Sequence, residues 1–376
     1  MRTALRLIAW LQYTVPVLCS SLPDSVLVGY ASQCAGGKVR QAISDGVNVV
    51  IWAFWALAKE DVAGFPRIST NLDIGCIEAL KKELDGGTIH LASIGGWNGF
   101  HLEEQYSSEA IYDAWRNWGG RLFDGIDWDL EGNDRLDSPM NVFGVETLHR
   151  MGEISRLAHQ GNALHVIEVS SFSLNLIITD GFIVSMAPPQ SYLDFGTSRF
   201  SRFVNLTYPT RTWHSEFSYY GANVYSYLLA KYGDYFDIVS VQLYESYSRA
   251  NYEISQLGDH PSSYLDRFVK DHLSRGEAYY VHFSEDQTVS LPSQLVSVPM
   301  NKLVIGLANG WASADKVVYF SPHDVKQAIT EWCLQGSFQP RGFVFWTIDL
   351  EGENGVFMAS GLGEALALRC SKVVGE

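Results

Sequence analysis

Three carboxylates alternate with apolar residues in the segment 123–132, which reads FDGIDWDLEG. In a β-strand successive side chains point to opposite faces, so Asp127, Asp129 and Glu131 project to one side, about 6.5–7 Å apart per step. Like charges at this spacing in a low-dielectric interior resist being ionised together, so at least one of them should hold a proton near neutral pH. A carboxyl group that stays protonated there can act as a general acid.

Eight short apolar runs of β-type composition alternate with segments of helical periodicity, which is typical of repeated βα units and a parallel sheet. The eight predicted strands are Val26–Tyr30, Val47–Phe54, Ile89–Ile94, Gly125–Asp129, Phe182–Met186, Ile238–Tyr244, Leu303–Leu307 and Gly342–Ile348. Eight units predict an α/β fold, the (β/α)8 TIM barrel. Glu131 comes last in the acidic row, at the carboxyl end of the fourth strand, where barrel enzymes place their chemistry.

The segments between the strands carry apolar residues at helical spacing together with exposed charged residues, as parallel crossovers require. The predicted helices are Cys76–Leu84, Ser108–Trp118, Val145–His159, Ala222–Tyr232, Pro261–Ser274 and Pro322–Leu334. No linker, internal repeat or low-complexity tract divides the chain. We therefore predict a single catalytic domain over residues 24–370.

Two stretches do not fit the regular βα alternation. The segment 161–179 separates a predicted helix from the fifth strand, where a turn of a few residues is usual, so we interpret it as an inserted element or a gene-model artefact. Residues 279–298 predict an extra hairpin or long loop before the seventh strand.

A divalent-metal site is the alternative interpretation of the acidic row, because clustered acidic side chains at a barrel mouth also bind magnesium or calcium. No histidine or second acidic cluster at the other strand ends completes a coordination shell. A solvated acidic face is disfavoured because Ile126, Trp128 and Leu130 alternate with the acids and need burial on the opposite side. We predict an acid–base site with no metal ion and no cofactor.

The spaced set Asp124-Gly125-x-Asp127-x-Asp129-x-Glu131 resembles the signature of glycoside hydrolase family 18, the chitinase and endo-β-N-acetylglucosaminidase family. The run SIGGW at 93–97, on the third predicted strand, is similar to the family's second motif. Further similarities occur at Ala53-Phe54, Met186-Ala187-Pro188, Trp346 and, as in the plant-type branch, Val241-Gln242-Leu243-Tyr244. Glu245 departs from the family, which usually has Asn or Asp after that tyrosine.

The resemblance implies hydrolysis of β-1,4-linked N-acetylglucosamine polymers, chitin and chitooligosaccharides, with retention and no enzyme nucleophile. It implies that Glu131 is the general acid and base, while the substrate's 2-acetamido carbonyl attacks the anomeric carbon. Asp129, supported by Asp127, would orient the acetamido N–H, and Tyr244 would donate to the acetamido oxygen. Trp346 would form the floor under the cleaved sugar.

Other implied substrate contacts are Gln242, Met186, Phe54, Trp97 and Tyr30. For Met186 and Phe54 the alternative is core packing, because inward barrel positions are normally apolar layers. Two other functions remain as alternatives. An endo-β-N-acetylglucosaminidase acting on N-glycans would use the same catalytic motif, whereas a non-catalytic chitin-binding lectin would share the barrel after loss of the acid. The presence of Glu131, Asp129 and Tyr244 argues against the lectin.

The formal net charge of −15 disfavours a nucleic-acid partner, because such proteins need a basic surface. The first 21 residues resemble a signal peptide, with two arginines before an apolar stretch too short to span a bilayer. An uncleaved anchor or a buried first helix is the alternative. We expect a secreted monomer without a membrane partner.

Four cysteines would remain after cleavage of that signal peptide: Cys34, Cys76, Cys333 and Cys370. An even number in a secreted chain permits two disulfides in any of three connectivities, although Cys76 could equally be a buried thiol. An N-glycosylation sequon at Asn205 is consistent with secretion.

Overall fold

A computed structural model describes residues 22–58, 64–84, 87–102, 105–133, 135, 138–161, 181–204, 222–313, 318–336 and 339–368. Its strands are β1 (Val26–Ala31), β2 (Val49–Leu57), β3 (Ile68–Thr70), β4 (Ile89–Gly96), β5 (Gly125–Leu130), β6 (Ile183–Met186), β7 (Ile238–Gln242), β8 (Ala278–Val281), β9 (Gln294–Ser297), β10 (Leu303–Ala308) and β11 (Gly342–Trp346). Eight of them pair in parallel in the order β1-β2-β4-β5-β6-β7-β10-β11, and β11 returns to β1. The predicted (β/α)8 barrel and its eight strands are confirmed.

The helices are α1 (Lys38–Ser44), α2 (Ile74–Glu83), α3 (Ser108–Gly119), α4 (Val145–Gln160), α5 (Ser226–Tyr232), α6 (Arg249–Ser255), α7 (Pro261–Ser274), α8 (Pro322–Leu334) and α9 (Met358–Leu366). All six predicted helices are present, and α7 and α8 have the predicted bounds. Proline at the first turn of both helices marks where they begin, since its missing N–H would be unpaired there anyway. At α8, Ser321 and Asp324 add a reciprocal capping box.

Three helices, α1, α6 and α9, were not predicted. The first two have seven residues each, which is too short for a clear apolar period. In α9, Gly361 and Gly363 lower the helix propensity but permit close packing. A Cβ at Gly363 would lie 2.4 Å from the carbonyl oxygen of Asp45, so this helix depends on a tertiary contact that only glycine allows.

Two apolar layers surround the barrel wall. Five of the eight barrel strands begin with inward-facing apolar residues that fill the interior: Val26, Val49, Ile89, Ile183 and Ile238. On the outward face of β5, Ile126, Trp128 and Leu130 are fully buried in the layer that also contains the helices, as predicted. Trp128 additionally donates its indole N–H to Ser155 of α4 at 2.9 Å. Because the starts of the strands are packed with apolar groups, the polar residues collect at the carboxyl end.

Short strands outside the barrel account for two local features. The antiparallel pair β8–β9 precedes β10, which confirms the predicted extra hairpin before the seventh barrel strand. Strand β3 pairs antiparallel with the end of β2, where Leu57 lies opposite Ile68. This pairing extends β2 three residues beyond its predicted end, because it supplies hydrogen-bond partners there.

A disulfide joins Cys34, in the loop after β1, to Cys76 in α2, so the alternative that Cys76 is a free thiol is wrong. Several predictions lie outside the described residues: the signal peptide, the stretch 162–179 of the suspected insertion, the sequon at Asn205, and Cys370. Among the helices that the structure describes, none combines the length and apolar character needed to cross a bilayer.

The Cys34–Cys76 bond should stabilise the barrel by restricting the unfolded chain. Its sequence separation is 42 residues, for which loop-closure entropy predicts about 4 kcal/mol. We expect the Cys34→Ser/Cys76→Ser variant to lose about 2–4 kcal/mol of unfolding free energy in urea titrations. The single variant Cys76→Ser breaks the same bond and should show the same loss. A loss below about 1 kcal/mol in both would contradict this role.

Candidate active site

The acidic row lies on the inward face of β5, at the carboxyl end of the barrel. Asp127, Asp129 and Glu131 are only 0%, 3% and 8% exposed. Asp127 is aligned with Ser93 of β4 and Ser185 of β6, which face the interior with it. Three carboxyl groups thus share one desolvated space, as their two-residue spacing predicts.

Asp127 is the deepest of the three acids and is held from two neighbouring strands. Its Oδ2 accepts a hydrogen bond from the Tyr30 hydroxyl of β1 at 2.7 Å and another from Ser93 of β4 at 2.7 Å. Burial raises the pKa of Asp127, although these donors partly oppose the shift. Hydroxyl donors from β1 and β4 therefore fix the orientation of this carboxyl group.

Asp129 lies between the other two acids and is tied to β7. The Gln242 side chain donates to Asp129 Oδ1 at 2.7 Å and to the carbonyl oxygen of Ala187 at 2.6 Å, which holds the amide in one orientation. Burial, followed by the charges of Glu131 and Asp127, raises the pKa of Asp129 well above its usual range.

Glu131, directly after β5, forms a side-chain hydrogen bond with Asp129. Burial raises the pKa of Glu131 to about 7, while its hydrogen bonds to Asp129 and Gln242 act in the opposite direction. Asp129 and Glu131 therefore titrate as a pair, and their shared proton remains bound near neutral pH. This is the protonation state that a general acid requires.

Tyr244 lies two residues beyond the end of β7, so the predicted sixth strand ends earlier than expected. Burial is the main cause that raises the pKa of its phenol well above the usual value, followed by the charges of Asp129 and Glu131. The hydroxyl group therefore remains a donor beside the acid pair. Its ring meets Trp311 edge-on at 6.4 Å, and the Trp311 indole donates to the Trp346 carbonyl at 3.0 Å.

An aromatic surface borders the acids on the β1, β2 and β11 side. The Trp346 ring lies 5.4 Å from Tyr30 and 5.8 Å, in a stacked arrangement, from Phe54. The peptide bonds Ala53–Phe54, within β2, and Trp346–Thr347, at the end of β11, are cis. The structure thus brings Trp346, Phe54 and Tyr30 together, next to Asp127.

Two further predicted substrate contacts, Met186 and Trp97, differ in their exposure. Met186 is fully buried in the layer outside the barrel, because its neighbours Ser185 and Ala187 take the inward positions on β6. The predicted contact between Met186 and substrate is therefore wrong, and core packing is correct. Trp97 follows β4, is 37% exposed, and has its ring 6.3 Å from Tyr247.

Four residues near Glu131 were not assigned roles from the sequence: His101, Tyr192, Tyr225 and Glu245. The backbone N–H of Gln190 donates to Glu245 at 3.0 Å, and burial together with the Glu131 charge raises the pKa of Glu245 well above its usual range. The other three contact the backbone around Glu131. Their sequence positions show no periodic signal, since each lies on a loop or beside one.

Within the part of the chain that the structure describes, no group of three or more His, Cys, Asp or Glu side chains is arranged to hold a metal ion.

Comparison with solved structures finds the same fold among chitinases. The chain is similar to a family GH18 chitinase from Chromobacterium violaceum, with a TM-score of 0.57 and 18% identity over 93% of this chain and 86% of that one. It is also similar to the C-terminal domain of ChiA from Legionella pneumophila, with a TM-score of 0.54 and 16% identity over 90% and 98% of the two chains. A third similar structure is the catalytic domain of a chitinase from the fern Peteris ryukyuensis. Its TM-score is 0.52, with 14% identity over 92% of this chain and 100% of that one.

No protein-family model and no curated protein matches the chain in sequence. The structure defines the class as a (β/α)8 barrel with a buried acid pair at its carboxyl end. Its fold is that of the family 18 chitinases.

The raised pKa of Glu131 should make the protein less stable as pH rises. Between about 4.5, its ordinary pKa, and about 7 the folded state binds a proton that the unfolded state has released, so unfolding free energy falls through this window. We expect Glu131→Gln, which removes the buried acid, to be on the order of 1–3 kcal/mol more stable than wild type at pH 8. At pH 4.5 the two proteins should unfold at similar temperatures.

The measurement is thermal or urea unfolding of both proteins across pH 4–8. Glu285→Gln, at an exposed glutamate outside the site, is the matched control and should show no pH-dependent gain. An equal difference between Glu131→Gln and wild type at every pH would contradict the raised pKa.

Proposed function

We propose that this protein is a retaining glycoside hydrolase of family 18 that cleaves β-1,4-linked N-acetylglucosamine polymers, chitin and chitooligosaccharides. The observation that carries the proposal is the buried, hydrogen-bonded pair of Asp129 and Glu131 at the carboxyl end of the barrel. The Gln242 amide donates to Asp129 of this pair, and the Tyr30 hydroxyl donates to Asp127, one step deeper in the row. An aromatic surface borders the row. The barrel fold shared with chitinases supports the same function.

In the first step Glu131 gives its proton to the glycosidic oxygen as the bond from that oxygen to the anomeric carbon breaks. The carbonyl oxygen of the substrate's 2-acetamido group bonds to the same carbon, which yields a cyclic oxazolinium ion and a free alcohol. Glu131 ends the step as a carboxylate. The pKa of about 7 leaves a large fraction of the enzyme in the protonated form that can start this step at neutral pH.

Asp129 accepts the acetamido N–H and stabilises the positive charge that develops on that group. Gln242 holds the Asp129 carboxyl from β7, and Asp127 lies one step deeper in the row. When the oxazolinium ion forms, a negative charge on Asp129 becomes favourable, which reverses the electrostatic penalty of the unliganded site.

Tyr244 donates its hydroxyl hydrogen to the acetamido oxygen and so helps to align it with the anomeric carbon. Its raised pKa keeps that hydrogen in place. Trp346, supported by Phe54 and Tyr30, provides an apolar floor for the sugar ring. The exposed indole of Trp97 offers a further apolar face for a neighbouring sugar.

In the second step water attacks the anomeric carbon from the side that the leaving alcohol has vacated. Glu131 takes one proton from this water, the bond to the acetamido oxygen breaks, and the acid is restored. Two inversions at one carbon give a product with the original anomeric configuration. The enzyme therefore needs only one catalytic carboxyl in contact with the glycosidic oxygen.

We also propose that the protein is secreted. The Cys34–Cys76 disulfide supports this proposal, because such bonds persist mainly in oxidising compartments. The apolar, arginine-preceded start of the sequence agrees with it.

The test of function is hydrolysis of chitotetraose by the wild type, Glu131→Gln and Asp129→Asn. We expect the wild type to release chitobiose, and each variant to lose at least about a hundredfold in kcat, because one lacks the transferable proton and the other the charge that stabilises the intermediate. Glu285→Gln should retain wild-type kcat. Anomeric analysis of fresh product by NMR should show the β configuration.

Three outcomes would redirect the assignment. Cleavage of an N-glycopeptide but not chitotetraose would indicate an endo-β-N-acetylglucosaminidase. Binding of chitotetraose without cleavage of either substrate would indicate a lectin. Activity that is lost to a chelator and restored by divalent ions would indicate a metal-dependent enzyme.

A further inference from the structure

The backbone that carries Glu131 extends beyond the pairing between β5 and β6. That pairing ends where Trp128 lies opposite Met186, and the last ladder bond runs from Ala187 N–H to the Trp128 carbonyl at 2.8 Å. Backbone groups alternate sides along a strand, so the Leu130 carbonyl and the Gly132 N–H face the same side as Trp128. Among the strands that the structure describes, none pairs with either group on that side, although Leu130 is fully buried.

Two tyrosines take the place of the missing strand. Tyr225, at the start of α5, donates its hydroxyl to the Leu130 carbonyl at 2.9 Å. The Tyr192 hydroxyl, from the loop after β6, accepts the Gly132 N–H at 3.1 Å. Side chains therefore supply hydrogen-bond partners for the backbone groups on each side of Glu131. Each of these hydrogen bonds restrains the position and rotation of the backbone.

The loop after β4 supplies further hydrogen-bond partners for the backbone of residues 131 and 132. His101 Nε2 lies 2.6 Å from the Glu131 carbonyl oxygen, and the Asn98 N–H donates to the Gly132 carbonyl at 3.2 Å. A carbonyl can only accept, so Nε2 carries a hydrogen. Burial lowers the pKa of His101, so the ring is neutral with its single hydrogen at this position.

The three polar rings pack on one apolar ring, Phe143. His101 lies 4.8 Å from it, and Tyr192 and Tyr225 each lie 6.0 Å from it, both edge-on. Tyr192 and Tyr225 also stack on each other at 6.4 Å. We call His101, Phe143, Tyr192 and Tyr225 the aromatic collar; none of the four is more than 8% exposed.

We propose that the aromatic collar sets the position of the Glu131 carboxyl group by fixing the backbone of residues 130–132 from both sides. His101, Tyr192 and Tyr225 are then positioning residues that act through Glu131 without touching substrate. A displacement of about 1 Å at a catalytic group can cost about a hundredfold in rate, so small shifts of this segment matter. The catalytic consequence rests on the function proposed above, whereas the restraint on the backbone does not.

Burial of the two phenols agrees with this role. It is the largest cause that raises the pKa of Tyr225 and of Tyr192, and the charge of Glu131 raises both further. Both hydroxyls therefore keep their hydrogens throughout the working pH range. Ionisation of these phenols therefore does not interrupt the hydrogen bonds of the collar.

A purely structural role would lower stability without a selective effect on the chemical step. Tyr279→Phe is the matched control, because Tyr279 is 3% exposed and its hydroxyl makes one buried hydrogen bond, to Ser226 at 2.7 Å. Tyr279 lies on β8, in the hairpin outside the barrel. The Tyr279→Phe variant therefore loses one buried hydrogen bond of a phenol, as the collar variants do, but this bond does not involve residues 130–132.

The first readout is kinetic, with chitotetraose as substrate and Tyr225→Phe and Tyr192→Phe as variants. We expect kcat to fall about 10- to 100-fold while KM changes less than about threefold. Melting temperatures should fall no further than in Tyr279→Phe, whose kcat should stay near wild type. His101→Gln, which keeps a donor near the Nε2 position, should retain more kcat than His101→Leu.

The second readout is amide hydrogen exchange, which requires no activity. We expect Tyr192→Phe and Tyr225→Phe to accelerate exchange in the peptide that contains Gly132 by at least about tenfold, and Tyr279→Phe to leave it unchanged. Exchange no faster than in Tyr279→Phe overturns the proposal, as does a kcat loss no larger than in that control. If the wild type cleaves no glycan, the proposed function fails and exchange alone decides whether the collar restrains the segment.

Discussion

Burial of three carboxyl groups in one row is the constraint on which the site depends. Each group loses its hydration, which raises the pKa of Asp127, Asp129 and Glu131, and at Asp129 the charges of the other two acids add to this shift. Among the residues that the structure describes, neutral hydrogen-bond donors face these acids. Tyr30, Ser93 and Gln242 supply those donors from three different strands. A cationic partner would relieve the repulsion but would also remove the proton that acid catalysis needs.

The barrel architecture makes this row of buried carboxyl groups possible. Apolar side chains close the amino-terminal part of the interior, so the acids and their donors share a confined space at the carboxyl end. Neighbouring strands are in register there, with Asp127 opposite Ser93 and Ser185. Alignment of several strands therefore gives the row of acids an ordered set of hydrogen bonds. The charges of these acids change during the proposed reaction.

Past the strand end, the support for the acid changes from backbone pairing to side chains. The β-ladder holds Asp127 from both neighbouring strands, whereas Glu131 lies where the β6 side of the ladder has ended. The aromatic collar supplies hydrogen bonds to this segment and packs it against buried rings. The Glu131 side chain, which lies just beyond the end of β5, is supported in this way where the strand pairing no longer reaches.

Periodicity in the sequence determined the acidic row, the eight barrel strands, most helices and the side of β5 that faces inward, because period two and period 3.6 are local properties of the chain. Tertiary structure alone decided which face of β6 carries Met186, where β7 ends before Tyr244, and that Cys34 pairs with Cys76. It also decided the collar, whose members His101, Phe143, Tyr192 and Tyr225 span more than a hundred residues of sequence. These features depend on contacts between segments distant along the chain, and no local pattern encodes which distant partners meet.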